Sequence, residues 1–81
     1  MELEAEILAF VYDHFPVARK KAVTKEDSLL ESGIIDSLGI MEIVNFLVEE
    51  KAVEIDEDDL VPENFDSVTH IAQLVRKRTG Q

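Results

Sequence analysis

The sequence predicts a small all-α bundle of three main helices and one short helix, with a long first connection. Three observations lead there. Apolar residues recur at helical spacing in three separate segments, capping-type residues stand at the heads of the second and third of them, and no segment shows the alternation of a strand. With 81 residues the chain reads as a single domain, 1–81, holding one modest hydrophobic core, and no internal repeat is visible.

In the first segment Leu3, Ile7, Val11 and Phe15 recur at i, i+4, i+8 and i+12, with Leu8 alongside. Glu2, Glu4 and Glu6 crowd its opening turn, where the helix dipole favours anions, and the helix is expected to end near Pro16. A long connection follows, carrying Arg19, Lys20, Lys21 and Lys25. Within it Ser28 and Glu31 have the capping-box spacing for a short helical turn that Gly33 would close.

The second helix runs from Ser37 to about Glu50. At 100° per residue, Ile40, Ile43, Val44 and Leu47 fall on a core-facing side flanked by Met41 and Val48, while Leu38, Glu42, Asn45 and Glu49 lie opposite. Asp56 can cap a short third helix that ends before Pro62. The last helix starts from an Asp66 or Ser67 cap, repeats Val68, Ile71, Ala72 and Val75 inward, and ends in Arg76, Lys77 and Arg78.

Composition narrows the function classes. The net charge is −10, against the basic clusters that bind nucleic acid. The charge is concentrated, with twelve acids against the single base Lys51 between residues 31 and 66. Such a half is either a solvated surface or a field that steers basic partners, and it favours a monomer. There is no cysteine, so any thiol chemistry must be imported. The N-terminus lacks signal-peptide features and no apolar run approaches membrane-spanning length, which reads as a cytoplasmic protein without a membrane span. The run "DEDD" lacks the central glycine of an EF-hand loop, so no metal site is expected. His14 and His70 stand on separate helices with no partner motif. No catalytic residue set, glycine-rich phosphate loop or ligand cluster stands out, and the chain is not read as an enzyme.

The residue that invites chemistry is Ser37. In the bland reading it only caps the second helix. Asp36 could cap as well, and the third residue after Ser37 is Ile40, so the reciprocal acid of a capping box is absent. A phosphodiester on Ser37 would sit where first-turn N–H groups and the positive end of the dipole welcome an anion.

The stretch "LLESGIIDSLGIMEIVNFLVEE" closely resembles the attachment region of acyl carrier proteins and the related aminoacyl, D-alanyl and peptidyl carriers, whose shared feature is Asp-Ser-Leu opening an acidic second helix. The resemblance continues through "EIDEDDLVPENFDSVTHIAQLV", which is similar to the third and fourth helices of free-standing carriers. It implies that Ser37 receives 4′-phosphopantetheine from coenzyme A by the action of a phosphopantetheinyl transferase, with Asp36 beside the coenzyme and its metal during loading. It also implies a docking surface of Leu38, Met41, Glu42, Asn45 and Glu49 on the recognition helix. The implied partners are an AMP-forming acyl or aminoacyl ligase and downstream synthases or transferases of fatty-acid or specialised biosynthesis. The chain itself would position cargo and leave the catalysis to others.

Three positions depart from the usual fatty-acid carriers. Gly39 stands where those commonly have an acid, Asn45 where methionine is frequent, and Phe46 where a small residue is frequent. The segment "SGIIDSLG" looks more like D-alanyl carriers and specialised carriers. Gly39 hints at clearance beside the arm, and Phe46 at a bulkier interior with room only for short, polar or aminoacyl cargo, although Phe46 also reads as a plain packing residue. The competing function is an acidic helical interaction module in which Ser37 is a cap and no prosthetic group is carried.

Overall fold

A computed structural model describes residues 2–80 and bears out the all-helical class. Helix α1 spans Leu3–His14, α2 Pro16–Lys21, α3 Ser37–Lys51 and α4 Val68–Thr79, with two 3₁₀ turns at Glu57–Asp59 and Pro62–Phe65. None of these helices is long and apolar enough to cross a membrane.

On α1, Ile7 and Val11 are fully buried while Leu3 and Phe15 at the ends of the stripe are half-buried. Phe15, placed before a proline, is pushed to an extended conformation (φ −129°, ψ 90°) and breaks the helix there. Pro16 does more than stop α1. Its fixed φ and missing N–H suit the first position of a helix, and the six-residue α2 starts on it, so the first connection opens with a helix that the sequence reading did not place there. Arg19, Lys20 and Lys21 occupy the last turn of α2, which closes on Ala22 in the left-handed region (φ 50°).

The connection from Ala22 to Asp36 is anchored by buried Val23, Leu29, Ile34 and Ile35. Tyr12 donates its hydroxyl to the Val23 carbonyl at 2.6 Å, and Thr69 N–H reaches the Lys25 carbonyl at 3.0 Å. Ser28 accepts from Glu31 N–H at 3.1 Å, half of the expected capping box, and donates its hydroxyl to Asp66 on the far side of the loop. Gly33 closes this turn with φ 75°. The loop is thereby tied to α1 and to the head of α4.

Beyond α3, which ends on left-handed Ala52, the expected short third helix is instead a pair of 3₁₀ turns. At the first turn the Asp59 carboxylate accepts the Asp56 N–H at 3.1 Å while the Asp59 N–H donates to the Asp56 carbonyl at 3.0 Å, and Pro62 opens the second. Ser67, not Asp66, caps α4, accepting from His70 N–H at 3.2 Å. Phe65, Leu29, Ile43, Leu47, Ile71 and Val68 are fully buried and fill the core, each contributing about 1.5–3 kcal/mol by leaving water.

The basic end of α4 binds specific partners. Arg76 grips Glu4 through two hydrogen bonds of 2.7 and 2.8 Å, joining α4 to α1 and holding the Glu4 carboxyl down at about 2. Arg78 donates to buried Asp59 at 2.7 Å and lowers that carboxyl also, which fixes the first 3₁₀ turn against α4. The two pairs raise both guanidinium pKa values.

The head of helix α3 as candidate functional site

Asp36 caps α3. Its carboxylate accepts the Gly39 N–H at 3.0 Å from an extended backbone, which discards the reading of Ser37 as the cap. Ser37 is the first helical residue. Its side chain is exposed, and its hydroxyl makes no hydrogen bond among the described residues. The sequence thus separates two tasks on adjacent residues: a carboxylate satisfies the first turn, and a primary alcohol faces solvent at the positive end of a 15-residue helix.

Gly39 lies on the other side of the helix, about 200° around from Ser37 at 3.6 residues per turn. It is buried. A Cβ there would stand 2.9 Å from Ile35 Cβ, 3.2 Å from Ile35 Cγ2 and 3.2 Å from Phe15 Cε1. Its small size therefore serves close packing of the loop and the end of α1 on α3. The expectation of clearance beside an arm on Ser37 is corrected by this inward placement.

The other residues expected at the surface are all exposed: Leu38 at 76%, Met41 at 48%, and Glu42, Asn45 and Glu49. Met41 and Val48, expected at the margin of the core, are 48% and 45% exposed, and Ile40 is only half-buried; Gly39, one turn before buried Ile43, takes the inward position. Leu38, Met41, Asn45 and Val48 follow i, i+3, i+7 and i+10, so one exposed stripe runs nearly the length of α3.

Phe46 is half-buried and does not enlarge the interior. It stacks on Phe10 of α1 with ring centroids 4.2 Å apart, and Phe10 stacks in turn on His14 at 4.1 Å. The idea that Phe46 fills the interior against a long chain is corrected accordingly. Phe10 and Phe46 line an open groove of about 680 Å³ between α1 and α3, together with Asp13, His14, Glu42 and Glu49 among others. The groove was not foreseen from the sequence. Phe10 and His14, four apart off the apolar stripe of α1, were the available signal.

Among the described residues no group of three His, Asp or Glu side chains is placed to hold a metal ion. An anionic group on Ser37 fits the site: the residue is exposed, its hydroxyl has no hydrogen bond among the described residues, the helix presents its positive end, and the adjacent acid, Asp36, is engaged with a backbone N–H.

No family model matches the chain. Among curated proteins it is 29% identical over 75 residues to a protein of Serratia sp. named "Probable acyl carrier protein PigG", an alignment spanning 93% of this chain and 86% of the relative.

Proposed function

We propose that the chain is a carrier of acyl groups and that Ser37 is the attachment point of a 4′-phosphopantetheine arm. The observation that carries the reading is the division of labour at the head of α3, where Asp36 takes the cap and leaves the Ser37 hydroxyl exposed and uncommitted. A serine present only for capping would occupy the position that Asp36 fills. The similarity to a probable acyl carrier protein over nearly the whole chain supports the same reading.

When bound, the arm supplies the terminal thiol that a chain without cysteine lacks, and with it thioester chemistry. The chain's own residues do the rest. Ser37 supplies the alcohol oxygen for the phosphodiester. The α3 dipole stabilises the phosphate charge, Asp36 keeps the first turn ordered, and Leu38, Met41, Asn45 and Val48 with Glu42 and Glu49 present a mixed apolar and acidic face to enzymes. Those enzymes are a phosphopantetheinyl transferase, an AMP-forming acyl or aminoacyl ligase, and a downstream synthase or transferase; the carrier catalyses nothing itself. Ile35 and Phe15 fill the space beneath Gly39, which supports a compact acyl or aminoacyl cargo over a long chain threaded below the head of α3.

Intact mass before and after incubation with coenzyme A, magnesium and a broad-specificity phosphopantetheinyl transferase tests the reading. The expected result is one added phosphopantetheine on the wild type and none on Ser37→Ala. If an initially unmodified protein gains no mass with several transferases, the carrier function is rejected in favour of an acidic interaction module.

A further inference from the structure

The groove between α1 and α3 has a chemistry of its own. Its floor is aromatic, the stacked rings of Phe46, Phe10 and His14, all partly open to solvent. Its rim is anionic. Lys51 and Glu6 pair with each other, and Asp13 pairs with Arg19 at 3.1 Å, whereas Glu42, Glu49 and Glu50 have no basic side chain within ion-pairing distance among the described residues. Glu42 and Glu49 therefore belong to this groove as well as to the exposed face of α3, and they face a surface that includes α1.

We infer that the groove is an interaction surface for a partner segment presenting one aromatic or large apolar side chain between arginines. The apolar side chain seats on the ring faces of Phe10 and Phe46, and the guanidinium groups pair with Glu42, Glu49 and Glu50. Charge complementarity selects this occupant. An anionic or neutral segment would bury unpaired carboxylates, and a second copy of this chain, itself strongly acidic, would bring like charge to the same rim. The inference rests on the carrier reading for the partner being an enzyme of the thioester pathway, and it extends the docking footprint from α3 onto α1. The groove lies on the flank of α3 away from Ser37, so a partner held there leaves the serine accessible.

The test uses the full ¹⁵N- and ¹³C-labelled chain and a synthetic peptide with one tryptophan between arginines. Two control peptides replace either every arginine by glutamine or the tryptophan by alanine. Saturable shifts should appear in the aromatic signals of Phe10, His14 and Phe46 and in nearby amides of α1 and α3. Each control peptide should bind about tenfold more weakly or worse, equivalent to roughly 1.4 kcal/mol. Glu42→Gln with Glu49→Gln should weaken binding similarly, while Leu60→Ala, at an exposed apolar residue outside the groove, should change it less than twofold, about 0.4 kcal/mol. Equal binding of the alanine peptide, shifts without any aromatic component, or no saturation would overturn the inference. Ser37→Ala should bind the peptide as the wild type does. A failure of phosphopantetheine loading with peptide binding intact therefore removes the carrier reading alone, and the converse result removes the groove.

Discussion

Replacing Gly39 by alanine sets two known effects against each other. Alanine favours helix over glycine by up to about 1 kcal/mol, and by less in a first turn, so propensity alone predicts a stabilised protein. The packing predicts the opposite. Carbon atoms rest at about 3.5–4.0 Å, and the new methyl would stand 2.9 Å from Ile35 Cβ, so one of them must move by several tenths of an ångström or more. Ile35 has little freedom to do so: it is 5% exposed, its N–H donates to the Leu29 carbonyl at 3.2 Å, and the offending atom is a branch point next to the backbone. Overpacking of this kind costs about 1–3 kcal/mol, which leaves a net loss of roughly 1–2 kcal/mol after the propensity gain. For a domain of this size that is a fall in Tm of about 5–15 °C. Urea and thermal unfolding followed by far-UV circular dichroism measure it. Because Phe15 Cε1 is a second obstacle at 3.2 Å, the loss should shrink in a Phe15→Leu background, with a coupling of at least about 0.5 kcal/mol. An unchanged or raised midpoint for Gly39→Ala would refute the assignment of this glycine to packing.

Other outcomes follow from the same geometry. Asp36→Ala should cost about 1 kcal/mol of stability through the lost cap, and Asp36→Asn only a few tenths, as read by urea midpoints; equal losses would show that the capping bond is not the cause. Ser37→Ala, at an exposed hydroxyl without a partner, should stay within about 0.5 kcal/mol of wild type, so that any loss of loading is chemical and not structural. The Glu4 carboxyl, held by Arg76 at about 2 instead of 4.5, contributes stability that is complete above pH 4.5 and disappears as the pH falls from there toward 2. The urea midpoint of the wild type should therefore fall more steeply across that window than that of Glu4→Gln; parallel curves would mean the clamp does not persist in solution. At the first 3₁₀ turn, Asp59→Ala should lower the midpoint more than Asp56→Ala, since buried Asp59 holds both Arg78 and the Asp56 N–H whereas Asp56 is exposed; the reverse order would assign the junction to Asp56.

Much of this molecule was legible in one dimension because helices announce themselves by period. The stripe of Ile7 and Val11, the inward row of Ile43, Val44 and Leu47, and the row from Val68 to Val75 are local patterns, and α1, α3 and α4 each turned these residues to the core. The exposure of Leu38, Glu42, Asn45 and Glu49 followed from the same projection. What a residue does at a boundary was not legible, because it depends on what competes for it. Pro16 could end one helix or begin another. Asp36 and Ser37 were both able to cap, as were Asp66 and Ser67, and in each case the unused member of the pair was free for something else: Ser37 for solvent, Asp66 for the Ser28 hydroxyl across 38 positions of chain.

The sequence by itself determined the helical class, the acidic α3 face and the serine at its head, since all three rest on neighbours within a few residues. Only the tertiary structure decided that Gly39 is needed for Ile35 and Phe15, that Phe46 pairs with Phe10 in an open groove, and that Arg76 and Arg78 clamp Glu4 and Asp59. Those contacts join residues distant in the chain, and their energies depend on separations of a few ångströms that no local pattern encodes.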